Sequence, residues 1–191
     1  MRSDLVPGAT FPDYELPDHT RKPRRLSELQ GEDPLILTLA RGHYCPKEHQ
    51  QHLELAAFYP KIAVAYTRIA TISTDDHHTL QEFRASVGAQ WPFLSDPGRI
   101  VQQDLDIQEY TDPEHDPMIP YTLVLKPGLV VHSIYNGYWF WGARRPMTSG
   151  ATCGPSPARP ARTGTSALQG CARRGTLATS RTSTVGASGL R

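Results

Sequence analysis

Cysteine is scarce in this chain, which has only Cys45, Cys153 and Cys171 among its 191 residues. Three cysteines are too few for a disulfide-stabilised scaffold, so we expect a reduced, cytoplasmic protein. No apolar run approaches the roughly 18 residues that span a bilayer. The first residues also lack the basic and apolar regions of a secretory signal. We therefore expect neither a membrane-spanning segment nor export.

Acidic residues are absent from the last part of the chain. All 19 of them lie between Asp4 and Asp116. Residues 1–141 combine these with 12 lysines and arginines, a net charge of −7, whereas residues 142–191 carry eight arginines and a net charge of +8. The acidic first part excludes a strongly basic nucleic-acid-binding body, and we predict no nucleic-acid partner.

Residues 142–191 also contain no aromatic residue and no lysine, and they show neither a strand nor a helix period. One interpretation is a disordered basic tail on a folded domain of residues 1–141. The other is a shift of reading frame, because codons compatible with the stretch around Met147 and Cys153 can encode a capped amphipathic helix in the neighbouring frame. Both interpretations leave the folded domain without the last helix that its pattern requires.

Strand and helix signals alternate through residues 1–141. Continuous apolar runs at 35–40 and 68–73 predict strands that are buried on both faces. A helix should begin at Pro46 and end near Pro60, and a second should follow an aspartate cap at 75 or 76. Lys126-Pro127-Gly128 separates two β-rich runs and predicts a hairpin. The order β-α-β-α-β-β predicts an α/β, thioredoxin-like fold, in which helices flank a central mixed sheet and the C-terminal helix is missing.

Cys45 lies where the first buried strand gives way to a helix. Unpaired amides and the positive end of the helix dipole stabilise a thiolate at such a position. Arg41, His43 and Lys47 can add positive charge, whereas Glu48 opposes it. The alternative is an inert, buried cysteine that packs as a small hydrophobic residue. The polar, helix-starting neighbours of Cys45 favour the reactive interpretation.

A metal site is a second possibility in the same segment. His43, Cys45, His49 and His52 fall within ten residues, and zinc or copper could use such ligands. His49 and His52 can equally be solvated helix residues. We favour the solvated interpretation and predict no metal and no cofactor.

The whole arrangement resembles the alkyl hydroperoxide reductase/thiol-specific antioxidant family, the peroxiredoxin-like redoxins of the thioredoxin superfamily. The resemblance covers residues 8–141 and is carried by GATFPDYELPD, LILTLARGHYCPKE, IATISTD, WPFLSDP and IPYTLVLKPGLVV. The phrase Tyr44-Cys45-Pro46-Lys47-Glu48 is similar to the Val-Cys-Pro-Thr-Glu around the peroxide-attacking cysteine of peroxiredoxins. Residues 41–46 resemble the Arg-Gly-x-Trp-Cys-Pro-x-Cys of a redoxin branch.

The resemblance implies a thiol-dependent peroxidase that reduces hydroperoxides through Cys45. Arg41 is the second catalytic residue that we predict, because it can replace a family arginine that is missing near residues 119–120. The predicted supporting residues are Gly42, Tyr44, Pro46, Glu48 and Pro120.

Three departures from the family pattern affect the chemistry. Gly42 stands where the family has a hydroxyl that orients peroxide. Pro120 follows Ile119 in a pair that resembles the cis-proline of thioredoxins. Glu48 stands where the redoxin branch has its second cysteine, so an external thiol or a thioredoxin-type reductant must recycle Cys45.

Two alternatives to the peroxidase remain open at this point. The first is a copper- or zinc-binding thioredoxin-like module, and the second is an inactive, truncated redoxin. An aromatic cluster after the last strand can pack in the core, receive the missing helix or form a homodimer contact; it comprises Tyr135, Tyr138, Trp139, Phe140 and Trp141.

Overall fold

The chain alternates short strands and helices over residues 1–137, the part that the computed structural model describes. The strands are β1 (Glu15–Pro17), β2 (Pro23–Arg25), β3 (Leu35–Ala40), β4 (Arg68–Ser73), β5 (Phe93–Ser95), β6 (Tyr121–Lys126) and β7 (Val130–Asn136). The helices are α1 (Leu26–Gln30), α2 (Pro46–Val64), α3 (His77–Ser86) and α4 (Ile100–Asp104). The strands predicted at 35–40 and 68–73 are confirmed, and so is the hairpin.

Strand β3 lies at the centre of a five-stranded mixed sheet of order β5-β4-β3-β6-β7. It pairs in parallel with β4 and antiparallel with β6. Because side chains alternate along a strand, β3 supplies both faces of the sheet. Leu37 and Leu39 join a hydrophobic cluster with α1 and α4, and Ile36 and Ala40 join a second cluster with α2 and α3. The predicted sheet with flanking helices is therefore confirmed.

Helix α2 differs from its prediction in length and in its buried face. It continues past Pro60 to Val64, so the predicted end near the proline is wrong. Proline removes one hydrogen-bond donor, and here the rest of the last turn still closes, with Ala65 N–H donating to the carbonyl groups of Lys61 and Ile62. Leu53, an apolar residue of the same helix, is exposed, so hydrophobicity alone does not mark the buried face.

Polar side chains occupy much of the buried face of α2. Glu48, Gln51 and His52 are buried there together with Leu55 and Ile62. The interpretation of His52 as a solvated helix residue is wrong, because its ring is fully inaccessible. Helix periodicity does not reveal this face, since polar residues are normally assigned to solvent.

His52 belongs to a hydrogen-bonded network between α2 and the sheet. Its Nδ1 is 2.7 Å from the Glu48 carbonyl oxygen, so Nδ1 carries the proton and donates it. Its Nε2 then accepts from the Thr71 hydroxyl at 3.2 Å. Thr71 Oγ1 also accepts from Trp91 Nε1 and lies 2.7 Å from Thr38 Oγ1. Each buried polar group in this network is paired, as burial requires.

Among the helices of residues 1–137, none has the length and hydrophobicity that a membrane-spanning segment needs. The proposed tail at 142–191, its alternative reading frame, Cys153, Cys171 and the aromatic residues at 138–141 lie outside the described residues.

The burial of His52 predicts a pH-dependent contribution to stability. Burial lowers the pKa of His52 to about 4, below its ordinary value of 6.5. A group whose pKa is lowered by folding destabilises the folded state when it becomes protonated. The contribution of neutral His52 to the free energy of unfolding is therefore fully present above pH 6.5 and is lost as the pH falls to 4. We expect the free energy of unfolding of the wild type to fall by about 3 kcal/mol relative to His52→Gln over that interval.

Denaturant titrations of both proteins from pH 7 to pH 4 measure this difference. His78→Gln is the control, because the His78 side chain is exposed, and its titration should follow the wild type. Parallel stability curves for the wild type and His52→Gln would show that His52 becomes protonated without cost.

Candidate active site

The turn between β3 and α2 comprises residues 41–45. It lies at the edge of the sheet where the carboxyl ends of β3 and β4 meet. Gly42 adopts a φ of +129° in this turn, a conformation that side-chain-bearing residues rarely adopt. A Cβ on Gly42 would lie 2.7 Å from Asp75 Oδ1. Glycine is therefore required here on two grounds, backbone conformation and space. The same two grounds account for the missing hydroxyl at this position.

Asp75 fastens this turn to the end of the neighbouring strand. Its Oδ2 accepts from the His43 backbone N–H at 2.8 Å and from the Ser73 hydroxyl at 2.7 Å. Ser73 pairs with Ala40 across the sheet, which explains how a residue beyond β4 reaches the turn after β3. Burial raises the pKa of the Asp75 carboxyl above its ordinary value, against the opposing effect of these two hydrogen bonds.

Cys45 is the N-cap residue of α2, as the sequence predicted, and Pro46 occupies the first turn. Its backbone is extended and its own N–H donates to the Gly42 carbonyl at 3.2 Å. The residue is 5% exposed, and no side-chain capping bond ties the thiol to the helix amides. Cys45 is the one cysteine within residues 1–137, and it is not in a disulfide bond. The thiol therefore lies at the positive end of a 19-residue helix.

Arg41 is mostly buried and interacts electrostatically with Cys45, four residues further along the same turn. Its Nη2 is 2.7 Å from Glu109 Oε2, and its side chain is 15% exposed. Burial disfavours the charged form, but the electrostatic attraction of its neighbours, the Glu109 carboxylate among them, outweighs burial and raises the pKa of Arg41 above its ordinary value. The guanidinium therefore stays charged beside the thiol. Its buried Nε has no hydrogen-bond partner among the described residues.

Glu48 is completely buried beneath the same turn. The Arg41 guanidinium and the Arg41 backbone N–H both favour the charged form of its carboxyl. Burial outweighs both and raises the pKa of Glu48 to about 7. The predicted opposition of Glu48 to thiolate formation therefore depends on pH, because the side chain is half neutral near pH 7.

A loop between α4 and β6 covers Arg41 and Tyr44; we name residues 107–118 the cover segment. The Tyr44 hydroxyl donates to Asp112 Oδ2 at 2.9 Å, and the Tyr44 ring stacks on His115 with ring centroids 3.7 Å apart. Burial, with the bond to Asp112, raises the pKa of Tyr44 above its ordinary value. Tyr44 thus links the cysteine turn to the cover segment.

The cover segment is held in a defined shape by its own hydrogen bonds. Glu109 N–H donates to the Pro117 carbonyl at 3.0 Å, and Gln108 pairs with Met118 as an isolated bridge. Arg99 forms an ion pair with Asp116 at 2.7 Å. These contacts fix the position from which Glu109 reaches Arg41.

Four residues of this site were not predicted: Asp75 as an anchor of the turn, and Glu109, Asp112 and His115 in the cover segment. Asp75 was considered only as a helix cap, and Asp76 fills that role by accepting from Thr79 N–H at 2.9 Å. The three cover residues lie far from Cys45 in sequence, in a segment without helix or strand periodicity. Only the folded chain brings them to Arg41 and Tyr44.

The histidines near Cys45 do not gather as metal ligands. His49 Nε2 lies 2.9 Å from His43 Nδ1, whereas both His52 nitrogens are engaged in the buried network. Within residues 1–137, no three His, Cys, Asp or Glu side chains are arranged to hold a metal ion. The four-residue site suggested by spacing is therefore not formed.

Pro120 is buried, but its predicted resemblance to a cis-proline is wrong. No cis peptide bond occurs in the part of the chain that the structure describes, so the Ile119–Pro120 bond is trans. Ile119 N–H donates to the Ile107 carbonyl, and the Pro120 carbonyl accepts from Gly137 N–H at 2.8 Å. The trans form is also the intrinsically preferred one.

The Gly42 turn predicts a marked loss of stability on substitution. We expect Gly42→Ala to lower the free energy of unfolding by about 1–3 kcal/mol, because the backbone is strained for alanine and Asp75 occupies the space of the new methyl group. Gly98→Ala is the control, since it meets only ordinary contacts and should stay within about 0.5 kcal/mol. Urea denaturation measures both. Equal stability of the two variants would contradict the close approach of Gly42 to Asp75.

Solved peroxiredoxin structures share this fold. The chain superposes on the crystal structure of peroxidoxin BcpB from Mycobacterium tuberculosis with a TM-score of 0.64 and 24% identity, covering 70% of this chain and 86% of that one. It superposes on a cysteine-to-serine mutant of PrxQ from Xylella fastidiosa with a TM-score of 0.64 and 17% identity, covering 76% and 91%. At these identities the likeness establishes the fold, and the predicted thioredoxin-like architecture is confirmed.

Sequence comparison extends this likeness to a family. A protein of Mycobacterium tuberculosis named as a peroxiredoxin, Rv1608c, is 35% identical over 100 residues, which are 50% of this chain. The match spans 63% of that relative's length. The sequence profile of the AhpC/TSA family matches residues 7–134, which include every residue of the site described above. The chain therefore belongs to the AhpC/TSA family.

Proposed function

We propose that this protein is a thiol peroxidase in which Cys45 reduces hydroperoxides. One observation carries the proposal: the lone cysteine of residues 1–137 is the N-cap of α2, and a buried, charged arginine from the same turn interacts with it electrostatically. The helix amides and Arg41 together favour the thiolate, which is the nucleophilic form of cysteine.

The reaction begins when the Cys45 thiolate attacks the terminal oxygen of a hydroperoxide ROOH. A sulfur–oxygen bond forms as the oxygen–oxygen bond breaks, so the hydroxyl group passes to sulfur and the product is a sulfenic acid. The leaving alkoxide takes up one proton and departs as the alcohol, or as water when the substrate is hydrogen peroxide. Sulfur is oxidised by two electrons and the peroxide is reduced by two.

Arg41 stabilises the negative charge that develops on the peroxide oxygens. A cation in a site from which water is largely excluded acts more strongly than in solution. Gly42 leaves the site without the hydroxyl that orients peroxide in the family pattern, so we expect slower turnover than in peroxiredoxins that carry it. Cys45 is only 5% exposed, so bulk water has little access to the thiol.

Recycling of the sulfenic acid requires a thiol from outside the described site. Glu48 occupies the place of the redoxin branch's second cysteine, and residues 1–137 contain no cysteine besides Cys45. A free thiol RSH attacks the sulfenic acid, releases water and leaves a mixed disulfide, and a second thiol then restores Cys45. We propose a small thiol or a thioredoxin-type protein as this reductant.

Oxidation of the three cysteines tests the proposal directly. Treatment with hydrogen peroxide and a sulfenic-acid trap, followed by peptide mass spectrometry, should label Cys45 well before Cys153 or Cys171. Cys45→Ser should abolish peroxide consumption supported by an external thiol.

Cys153→Ser is the matched control and should retain the activity of the wild type. Equal rates of labelling at all three cysteines, or full activity of Cys45→Ser, would remove Cys45 from the active site.

A further inference from the structure

The counter-ion of Arg41 comes from a distant part of the chain. Glu109 lies 2.7 Å from the guanidinium, and its side chain is only 4% exposed. The Thr111 hydroxyl donates to the other Glu109 oxygen at 2.7 Å, while the Glu109 backbone is bonded to Pro117. The carboxylate is therefore fixed on both oxygens, in an environment where charges interact strongly.

The charges around Cys45 come from four elements. The turn before α2 contributes Arg41, His43 and Tyr44, and α2 itself contributes Lys47, Glu48 and His49. The segment after β4 contributes Asp75, and the cover segment contributes Glu109, Asp112 and His115. Arg41 is the buried permanent cation beside Cys45, and Glu109 is the carboxylate in ion-pair contact with it. The positive charge that Arg41 offers to the thiol is thus opposed at short range.

We propose that Glu109 is a positioning residue that holds Arg41 beside Cys45 and at the same time reduces its effect on the thiol. This inference rests on the proposed function, because it assigns Glu109 a role in setting the reactivity of the peroxide-attacking cysteine. Glu109 acts through Arg41 and does not touch the substrate. Its carboxylate sets the pH at which Cys45 becomes reactive, and its hydrogen bond sets where the guanidinium lies.

Glutamine at position 109 separates these two effects. Glu109→Gln keeps an oxygen that can accept from Arg41 Nη2, so the guanidinium stays in place, but it removes the negative charge. We expect the pH midpoint for alkylation of Cys45 by iodoacetamide to fall, and the alkylation rate below the wild-type midpoint to rise about three- to tenfold. Peptide mass spectrometry follows Cys45 separately from the other two cysteines.

Two further variants complete the test. Glu109→Asp keeps the negative charge but moves it away from Arg41, because the aspartate side chain is shorter. It should lower the pH midpoint for alkylation of Cys45 by less than Glu109→Gln does. This variant replaces Glu109→Gln in the test if the glutamine variant folds poorly. Glu114→Gln is the matched control, because Glu114 is exposed in the same segment, and it should leave the midpoint unchanged. Thermal melting of each variant reports its stability.

The outcomes separate this inference from a structural role and from the proposed function. Lower melting temperatures with unshifted midpoints in both Glu109 variants would overturn the inference. A shifted midpoint in a protein that consumes no peroxide would support the role of Glu109 toward Cys45 and contradict the peroxidase proposal. Peroxide consumption with an unshifted midpoint would support the peroxidase proposal and contradict the role of Glu109 toward Cys45.

Discussion

The buried charge of Arg41 is the interaction on which the arrangement of the site depends. A guanidinium that is largely removed from water must be paired, and leaving it unpaired would cost several kcal/mol. Glu109 meets this requirement, so the cover segment has to fold back over the turn that carries Cys45. In the same segment, Asp112 accepts a hydrogen bond from the Tyr44 hydroxyl and His115 stacks on the Tyr44 ring. The electrostatics of the thiol and the packing of the cover segment are consequences of one ion pair.

Helix α2 serves the site with its polar side chains as much as with its N-terminus. Glu48 and His52 are both buried, and burial shifts their pKa values in opposite directions, to about 7 and about 4. Between about pH 4.5 and 6.5, a rise in pH therefore lowers the contribution of Glu48 to the free energy of unfolding and raises the contribution of His52. The two effects oppose each other in the whole protein, so only single variants can separate them. A helix with this polar buried face fits an active site better than a purely structural element.

The sequence predicted the elements whose signals are local. The apolar runs of β3 and β4 and the position of Cys45 before Pro46 each follow from neighbouring residues, and the structure confirms them. The predicted end of α2 near Pro60 was wrong because a proline near the C-terminus of a helix removes only one hydrogen bond. The depth of His52 and the contact between Arg41 and Glu109 depend on tertiary packing, which periodicity does not encode. The resemblance of Pro120 to a cis-proline failed because it rested on two residues alone, and an X–Pro bond is trans by intrinsic preference.

The rate at which hydrogen peroxide oxidises Cys45 tests the central role of Arg41 most directly. The double variant Arg41→Met/Glu109→Gln removes the cation together with the charge of its ion-pair partner Glu109, and the Glu48 carboxyl, whose pKa is about 7, can take up a proton, so the variant should remain folded. Stopped-flow measurement of the second-order rate constant, with Glu109→Gln as the reference, isolates the contribution of the guanidinium. We predict a loss of about 100-fold, the size expected when one stabilising donor is removed from a reacting centre. A rate constant within about twofold of the reference would contradict the assignment of Arg41 as the catalytic cation.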